Sequence, residues 1–152
     1  VYQVVLEAQK QAFQAIAPGA GFDQPHLAAL RTLVQGLIDL KVLEGSVDGL
    51  IEQQAYRPYY MHGTSHWLGL DVHDAGPYKD RGQATELREG MVFTVEPGLY
   101  FGPLATESPQ ALQGIGIRIE DDVLVTKDSY RVLSETIPSQ IEAIEDLIGQ
   151  AA

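Results

Sequence analysis

Three of the four histidines in the chain lie close together, at His62, His66 and His73. A neutral imidazole is a common metal ligand and the usual side chain for moving protons near neutral pH. Any one of these residues is best explained as an ordinary polar side chain in a loop, whereas their clustering beside Gly63 and Gly69 favours a functional role. Their spacing is not that of the HExxH motif, so the sequence does not indicate a helical zinc-protease site.

A carboxylate, Glu96, closes the apolar segment MVFTVE and precedes Pro97. Because side chains alternate between the two faces of a β-strand, Glu96 is expected on the face opposite Phe93 and Val95. A carboxylate in an apolar strand needs a partner if it is buried. Taken alone, the position is better explained as a strand end that is exposed to water before a Pro-Gly turn.

The third candidate segment, residues 114–126, alternates between apolar and polar side chains. Its apolar face carries Ile115, Ile117 and Ile119, and its polar face carries Gly116, Arg118, Glu120 and Asp122. Arg118 and Glu120 are neighbours on the polar face, within ~7 Å, which is two strand rises. Taken alone, this pattern is typical of a half-exposed strand with a solvated polar face.

The three segments together supply one imidazole and two carboxylates, from His66, Glu96 and Glu120. Such a ligand set suits divalent ions such as manganese, cobalt or iron better than a thiolate site would. The spacing of these residues does not by itself identify a reaction.

The elements that must position these residues begin with helices, because the first third of the chain has apolar residues at helical spacing. Helices are predicted over residues 2–16, from about residue 23 and over residues 47–54. A last helix is predicted from Ser139, which has capping-box spacing to Glu142. The predicted inward-facing residues are Leu27, Leu30, Val34, Leu37 and Ile38 in the second helix, and Ile141, Ile144, Leu147 and Ile148 in the last.

Strands are predicted in the second half of the chain. Residues 59–74 are interpreted as strand and loop, residues 91–100 and 114–126 as strands, and residues 76–90 and 101–114 as loops. Helices followed by strands and a closing helix predict an antiparallel α+β fold. We expect a single domain that spans residues 1–152.

Composition limits the class of protein. The chain has 152 residues, no cysteine and a formal net charge of -11, which disfavours nucleic acid as a partner and excludes thiolate metal sites and disulfides. No apolar run approaches the ~18 residues of a membrane span. The first residues lack an initiator Met and a signal peptide and look like the middle of a helix, so we expect the chain to be part of a longer polypeptide.

Three motifs resemble the Xaa-Pro aminopeptidase (aminopeptidase P) family, whose catalytic domain has the pita-bread fold. They are HGTSHWLGLDVHD (residues 62–74), EGMVFTVEPGLY (residues 89–100) and GIGIRIEDDVLVT (residues 114–126). They occur in the family's order, and the leading helices also fit, so the resemblance covers essentially the whole chain. It implies the C-terminal part of that catalytic domain.

The resemblance also implies metal ligands. His66 matches the family's histidine ligand, Glu96 a carboxylate ligand that also handles the proton of the nucleophile, and Glu120 the carboxylate that bridges two metals. The family's two further aspartate ligands are expected on strands before Val1. The implied cofactor is a pair of divalent ions, with manganese expected and cobalt or zinc as alternatives.

Four other residues match positions around the substrate. The resemblance makes His62 and His73 substrate-site histidines, with His73 stabilising the carbonyl of the bond to be cleaved. Arg118 matches an arginine that supports the ligand cluster, and Tyr100 a residue that lines the site. The implied substrate is a peptide with proline at the second position.

The activity that the resemblance implies is removal of the residue before proline, by a hydroxide that bridges the two metals. A cytoplasmic enzyme without a membrane partner is expected, a homo-oligomer is left open, and the chain by itself is expected to be inactive. Prolidase, which cleaves Xaa-Pro dipeptides, and a non-catalytic pita-bread module that binds proteins remain as alternatives. Methionine aminopeptidase is disfavoured by its different histidine segments, and creatinase-like enzymes are disfavoured by Glu96 and Glu120.

Overall fold

A computed structural model describes residues 1–150 of the chain. Its helices are α1 (Tyr2–Gln14), α2 (Gln24–Asp39), α3 (Val47–Glu52) and α4 (Ile141–Gln150). The strands are β1 (Leu68–Gly69), β2 (Val72–His73), β3 (Lys79–Asp80), β4 (Gln83–Ala84), β5 (Val92–Val95), β6 (Gly98–Tyr100), β7 (Gly116–Arg118), β8 (Asp121–Val125) and β9 (Tyr130–Val132). The predicted order of helices, strands and a closing helix is therefore confirmed.

Helices α1 and α2 pack closely against each other through a glycine. A Cβ atom at Gly36 would lie 2.1 Å from Val4 Cγ1, so only glycine permits this approach. Helix α2 begins with Pro25 in its first turn, as predicted, and buries its face around Ala29 and Leu33.

The predicted burial of Leu27 in α2 is wrong, because this side chain is 43% exposed. At 100° per residue, the buried stripe of α2 is centred on Ala29, Leu33 and Leu37. Leu27 and Ile38 lie at the edge of that stripe, which leaves Leu27 exposed and Ile38 half-buried.

The inward orientation predicted for Leu147 and Ile148 in α4 is also wrong, since they are 56% and 71% exposed. Over residues 141–148 of α4, the half-buried apolar residues are Ile141, Ala143 and Ile144, all in the first turn. The anchor of this region is Tyr2 in α1, whose hydroxyl donates to the Ser139 carbonyl over 2.8 Å.

The long strands predicted over residues 91–100 and 114–126 are each divided in two. Strand β5 pairs antiparallel with β8, and β6 pairs antiparallel with β7. The register is the same in both ladders, from Val95 opposite Asp121 to Gly98 opposite Arg118. Pro97 lies in the interruption and has no N–H to donate, which explains why the regular pairing stops there.

Strand β5 is enclosed on both edges. Strand β8 pairs with one edge of β5, and β9 pairs with the other edge of β8. On the other edge of β5, the Thr94 N–H donates to the His66 carbonyl (3.0 Å) and the Glu96 N–H donates to the Thr64 carbonyl (2.7 Å). The segment around His66 is thus held beside β5, although it forms no regular strand there.

The loops predicted over residues 76–90 and 101–114 contain short elements that the sequence did not reveal. Strands β3 and β4 form a small hairpin in the first loop, and a single 3-10 turn, Gln110–Leu112, lies in the second. Strands β1 and β2 form another short hairpin, which ends at His73. Within residues 1–150, no helix is long and apolar enough to cross a membrane.

Candidate metal centre

Glu96 and Glu120 face each other across the interruption of the ladder. Val95 is opposite Asp121 and Gly98 is opposite Arg118, so the same register places Glu96 opposite Glu120. Facing side chains on neighbouring antiparallel strands have Cβ atoms about 4.5–5.5 Å apart. Strand pairing therefore brings the two carboxylates together, and their spacing in the sequence does not predict this contact.

His66 completes this group from the opposite edge of β5. Its Nε2 atom lies 3.5 Å from Glu96 Oε1. One donor atom from each of His66, Glu96 and Glu120 lies within 4.8 Å of the other two. Among residues 1–150, this is the group of His, Asp and Glu side chains that is close enough to hold one ion.

The orientation of the His66 ring fits a metal ligand. Its Nδ1 atom lies 3.0 Å from the Trp67 carbonyl oxygen, which can only accept, so Nδ1 carries the proton. When the ring is neutral, Nε2 presents its lone pair to Glu96 Oε1, which is also an electron donor. A cation between these two atoms would satisfy both, and a histidine whose other nitrogen donates to a carbonyl is typical of metal sites.

The two carboxylates differ in their exposure to solvent. Glu96 is 8% exposed, so the exposed position favoured from the sequence is wrong for this residue, because β8 and the segment around His66 cover its strand on both edges. Glu120 is exposed. Thr94, which is also buried, accepts from the His66 N–H (3.0 Å) and donates to Glu96 Oε1 (3.4 Å), so one hydroxyl links two of the three donors.

The electrostatics favour a cation at this position. Partial burial raises the pKa of Glu120, and the charge of Glu96 raises it further. Arg118 and His66 oppose this increase in the Glu120 pKa without cancelling it. Arg118 Nε lies 3.6 Å from Glu96 Oε2, so the arginine neutralises the cluster only in part.

A directional chain of hydrogen bonds connects Arg118 to His62. Arg118 Nε donates to the Tyr100 hydroxyl over 2.8 Å, and that hydroxyl lies 2.7 Å from His62 Nε2. His62 Nδ1 lies 2.7 Å from the Gly63 carbonyl, so Nδ1 carries the proton and Nε2 accepts from the tyrosine. This chain fixes the tautomer of His62 beside the acidic cluster.

The Tyr100 ring passes over Gly98. A Cβ atom at Gly98 would lie 2.6 Å from the Tyr100 hydroxyl oxygen and 2.9 Å from the Ile117 carbonyl oxygen. Only glycine leaves room for the tyrosine hydroxyl in this position. Gly98 therefore belongs to the site although it carries no side chain.

His73 lies next to His66. Their ring centroids are 4.0 Å apart, with 41° between the ring planes. His73 is exposed at the end of the β1–β2 hairpin, and its ring is free to meet a ligand that binds at the acidic cluster. All seven candidate residues from the sequence thus lie around one place, with His66, Glu96 and Glu120 at its centre.

Several residues of the site were missed by sequence reasoning. Thr64 is buried, and its hydroxyl contacts His26 Nδ1 at 2.9 Å and the Tyr60 hydroxyl at 2.7 Å. Burial lowers the pKa of His26 and raises that of Tyr60. A threonine in a polar segment carries no signal of burial, so only the fold reveals these contacts.

Comparisons with known proteins agree with the resemblance in the motifs. The model of metallopeptidase family M24 matches residues 1–127. The chain is 48% identical to the Xaa-Pro aminopeptidase of Haemophilus influenzae over 98% of its own length. It is 46% identical to the Xaa-Pro aminopeptidase of Escherichia coli over 99% of its length. It covers 34% of each of these relatives.

Solved structures have the same fold over this part. The aminopeptidase PepP of Pseudomonas aeruginosa superimposes with a TM-score of 0.95 at 46% identity, covering 99% of this chain and 34% of that chain. A variant of Escherichia coli aminopeptidase P in complex with substrate gives a TM-score of 0.92 at 44% identity, with the same coverage. The chain therefore spans about a third of the length of the relatives that it matches.

These likenesses confirm the predicted fold, an α+β arrangement that corresponds to the C-terminal part of a pita-bread domain. The family match covers most of the chain and includes all three motif segments. The chain belongs to metallopeptidase family M24.

Proposed function

We propose that this chain supplies the C-terminal part of the active site of a metal-dependent Xaa-Pro aminopeptidase. The reaction would be hydrolysis of the peptide bond between an N-terminal residue and a following proline. The observation that carries the proposal is the convergence of His66, Glu96 and Glu120 donor atoms within 4.8 Å. The relatives named Xaa-Pro aminopeptidase support this choice of reaction within the family.

The metal ligands of this chain would be His66 through Nε2, and Glu96 and Glu120 through their carboxylates. One imidazole and two carboxylates suit manganese, with cobalt or zinc as alternatives. Bound divalent ions would lower the pKa of a water molecule and polarise the carbonyl group before proline. Glu120, at the exposed side of the pair, is the carboxylate proposed to bridge two ions, and the two aspartates implied by the resemblance would complete their coordination.

Glu96 is proposed to move the proton. Its carboxylate would accept the proton of the attacking water and donate it to the proline nitrogen as that nitrogen leaves. Two features favour this residue: it is buried, so its position is fixed, and Thr94 and Arg118 contact one oxygen each. One oxygen of this carboxylate also lies within 4.8 Å of a Glu120 oxygen.

His62, His73 and Tyr100 are proposed to bind the substrate. His73 is exposed beside His66, so its imidazole would donate to the carbonyl oxygen where negative charge develops. His62 and Tyr100 are linked by a hydrogen bond and would line the side of the site that Arg118 closes.

The test compares the 152-residue chain with the full-length protein, by which we mean the polypeptide of the relatives' length that contains these residues. Metal content is measured after incubation with manganese, and cleavage is measured on a peptide with proline at the second position. A peptide with alanine at that position is the control substrate. The full-length protein is expected to bind manganese and to release the residue before proline, whereas the 152-residue chain is expected to bind metal weakly and not to cleave.

The same assay distinguishes the alternatives. Cleavage of an Xaa-Pro dipeptide with no cleavage of longer peptides would replace the proposal by a prolidase. A full-length protein that binds no manganese and cleaves neither substrate would indicate a non-catalytic module. A variant with Glu120→Gln is expected to lose both metal and cleavage, and Asp122→Asn, which removes a carboxylate from the same strand, is expected to keep both.

A further inference from the structure

One polar side chain on α1, that of Gln9, contacts the two strands that carry Glu96 and Glu120. Gln9 is 2% exposed, yet its amide nitrogen has two acceptors. It donates to Asp121 Oδ2 over 2.9 Å and to the Val95 carbonyl over 3.4 Å. A buried amide is stable only where such partners are provided, so this position is specified by more than packing.

The two acceptors are the residues of a single cross-strand pair. Val95 is opposite Asp121, and this is the last pair of the β5–β8 ladder before the interruption. Glu96 directly follows Val95, and Glu120 directly precedes Asp121. One amide group therefore links two residues, each of which is adjacent in sequence to one of the facing carboxylates.

Strand geometry places Gln9 on the side opposite to the metal centre. Side chains alternate between faces, so Asp121 points towards α1 while Glu120 points to the other face. The second carboxylate oxygen of Asp121 accepts from the Ser134 hydroxyl. Asp121 is thus held between α1 and the segment that follows β9, and none of its contacts uses the face where the ligands lie.

Between the two ladders, a single long backbone hydrogen bond, from the Ile119 N–H to the Pro97 carbonyl (3.3 Å), joins the strands beside the two carboxylates. Regular pairing resumes only at Gly98 opposite Arg118, and Pro97 between the ladders has no N–H. In addition, Glu96 and Glu120 carry like charges on facing positions, which drives the two strand ends apart. The two hydrogen bonds of Gln9 lie immediately beside the interruption and oppose this separation.

We propose that Gln9 is a positioning residue for the metal centre, which acts through Asp121 and Val95 to keep Glu96 and Glu120 facing each other. The assignment of the two carboxylates as ligands rests on the proposed function. Gln9 itself contacts neither ligand, and it is not a catalytic residue.

The test uses Gln9→Met in the full-length protein, which retains the length of the side chain and removes the amide. The matched control is Gln11→Met on the same helix, where the amide only reaches Glu7. The first readout is hydrogen exchange of backbone amides without metal. Loss of the Gln9 amide is expected to accelerate exchange of the amides in segments 95–98 and 118–121 by about tenfold, the effect of one or two lost hydrogen bonds, while Phe93 and Val123 keep their rates.

The second readout is manganese affinity measured by calorimetry. We expect Gln9→Met to weaken binding by about tenfold, the low end of the range for residues outside the ligand shell, and Gln11→Met to leave it unchanged. A purely structural role would lower the midpoint of thermal unfolding without changing affinity at temperatures where the protein is folded. Unchanged local exchange, or accelerated exchange with unchanged affinity, would overturn the proposal.

Ser134→Ala is a second variant for the case that Gln9→Met does not fold. It removes the hydrogen bond to the other oxygen of Asp121 without altering a helix. It is expected to change exchange and affinity in the same direction, to a smaller extent, and no effect on either would count against the proposal. A wild-type protein that binds no manganese would reject the proposed metal site. The exchange comparison without metal would still decide whether Gln9 holds the two strand ends.

Discussion

The substitution Glu120→Gln is expected to have opposite effects with and without metal. In the metal-free chain it removes one of two facing carboxylate charges and keeps the shape of the side chain. At a separation of at most 4.8 Å, this repulsion amounts to about 1 kcal/mol with the dielectric constant of water, which gives a lower bound because Glu96 is buried. The metal-free variant is therefore expected to be more stable than the wild type by about 1 kcal/mol near neutral pH.

The pH dependence follows from the raised pKa of Glu120. Because the pKa in the folded chain lies above the ordinary value of 4.5, the ionised carboxylate destabilises the fold. This loss of stability develops as the pH rises through 4.5 to the raised pKa, and it is complete above it. Wild type and variant should therefore have equal stabilities at pH values below 4.5, and the difference should appear as the pH increases.

The assay is urea unfolding of the 152-residue chain, followed by the fluorescence of Trp67, the only tryptophan. Unfolding is measured with a chelator and again with excess manganese. Manganese is expected to stabilise the wild type in proportion to the logarithm of its concentration above the dissociation constant, and to have little effect on the variant. Asp122→Asn removes a neighbouring negative charge from the same strand, and it should keep the response to manganese.

The reasoning would be refuted by a metal-free Glu120→Gln chain that is less stable than the wild type near neutral pH. That result would mean that the attraction of Glu120 to Arg118 and His66 exceeds its repulsion from Glu96. A gain in stability that persists unchanged in 0.5 M salt would also contradict it, since repulsion between partly exposed charges is screened at about this ionic strength.

Three further predictions concern residues around the centre. Gly98→Ala is expected to displace the Tyr100 ring, because the new Cβ would lie 2.6 Å from its hydroxyl oxygen, and to reduce the kcat of the full-length protein by about tenfold or more. The unfolding midpoint is also expected to fall, because the same Cβ would lie 2.9 Å from the backbone carbonyl oxygen of Ile117. Val72→Asn should stabilise the chain by about 0.5–1 kcal/mol in urea unfolding, since Val72 has φ +70° and asparagine tolerates this region better than a β-branched residue. His26→Gln should make the stability of the chain less sensitive to acid. Because burial lowers the pKa of His26, the wild type loses stability as the pH falls through 6.5. Urea midpoints at pH 5 and pH 7.5 would show whether the variant lacks this loss.

Much of the fold could be predicted because the periodicity of apolar residues is local. The alternation of Ile115, Ile117 and Ile119 predicted a strand over residues 114–126, and strands β7 and β8 lie there. The helix predicted from residue 23 begins at Gln24. The interruption of both long strands was missed, although Pro97 was visible in the sequence. Its effect depends on pairing with a partner strand, and pairing is not a local property.

The candidate site was predicted unevenly for the same reason. The residue types of His66, Glu96 and Glu120 indicated a metal, but their individual positions favoured ordinary solvated side chains. The burial of Glu96 arises from two flanking segments that are distant in sequence. Gln9 gave no signal at all, since a glutamine in an amphipathic helix is normally assigned to the solvent face.

The common register of the two ladders restricts where the chain can change in length. The connection over residues 102–113 joins β6 to β7 beyond the last paired residues, Phe101 and Ile115, so insertions there leave the positions of both glutamates unaltered. One residue inserted between Val95 and Glu96 would shift the alternation and turn Glu96 towards α1. Variation in length is therefore expected in this connection and not at the end of β5, where a single inserted residue would displace Glu96 from the centre without removing any ligand.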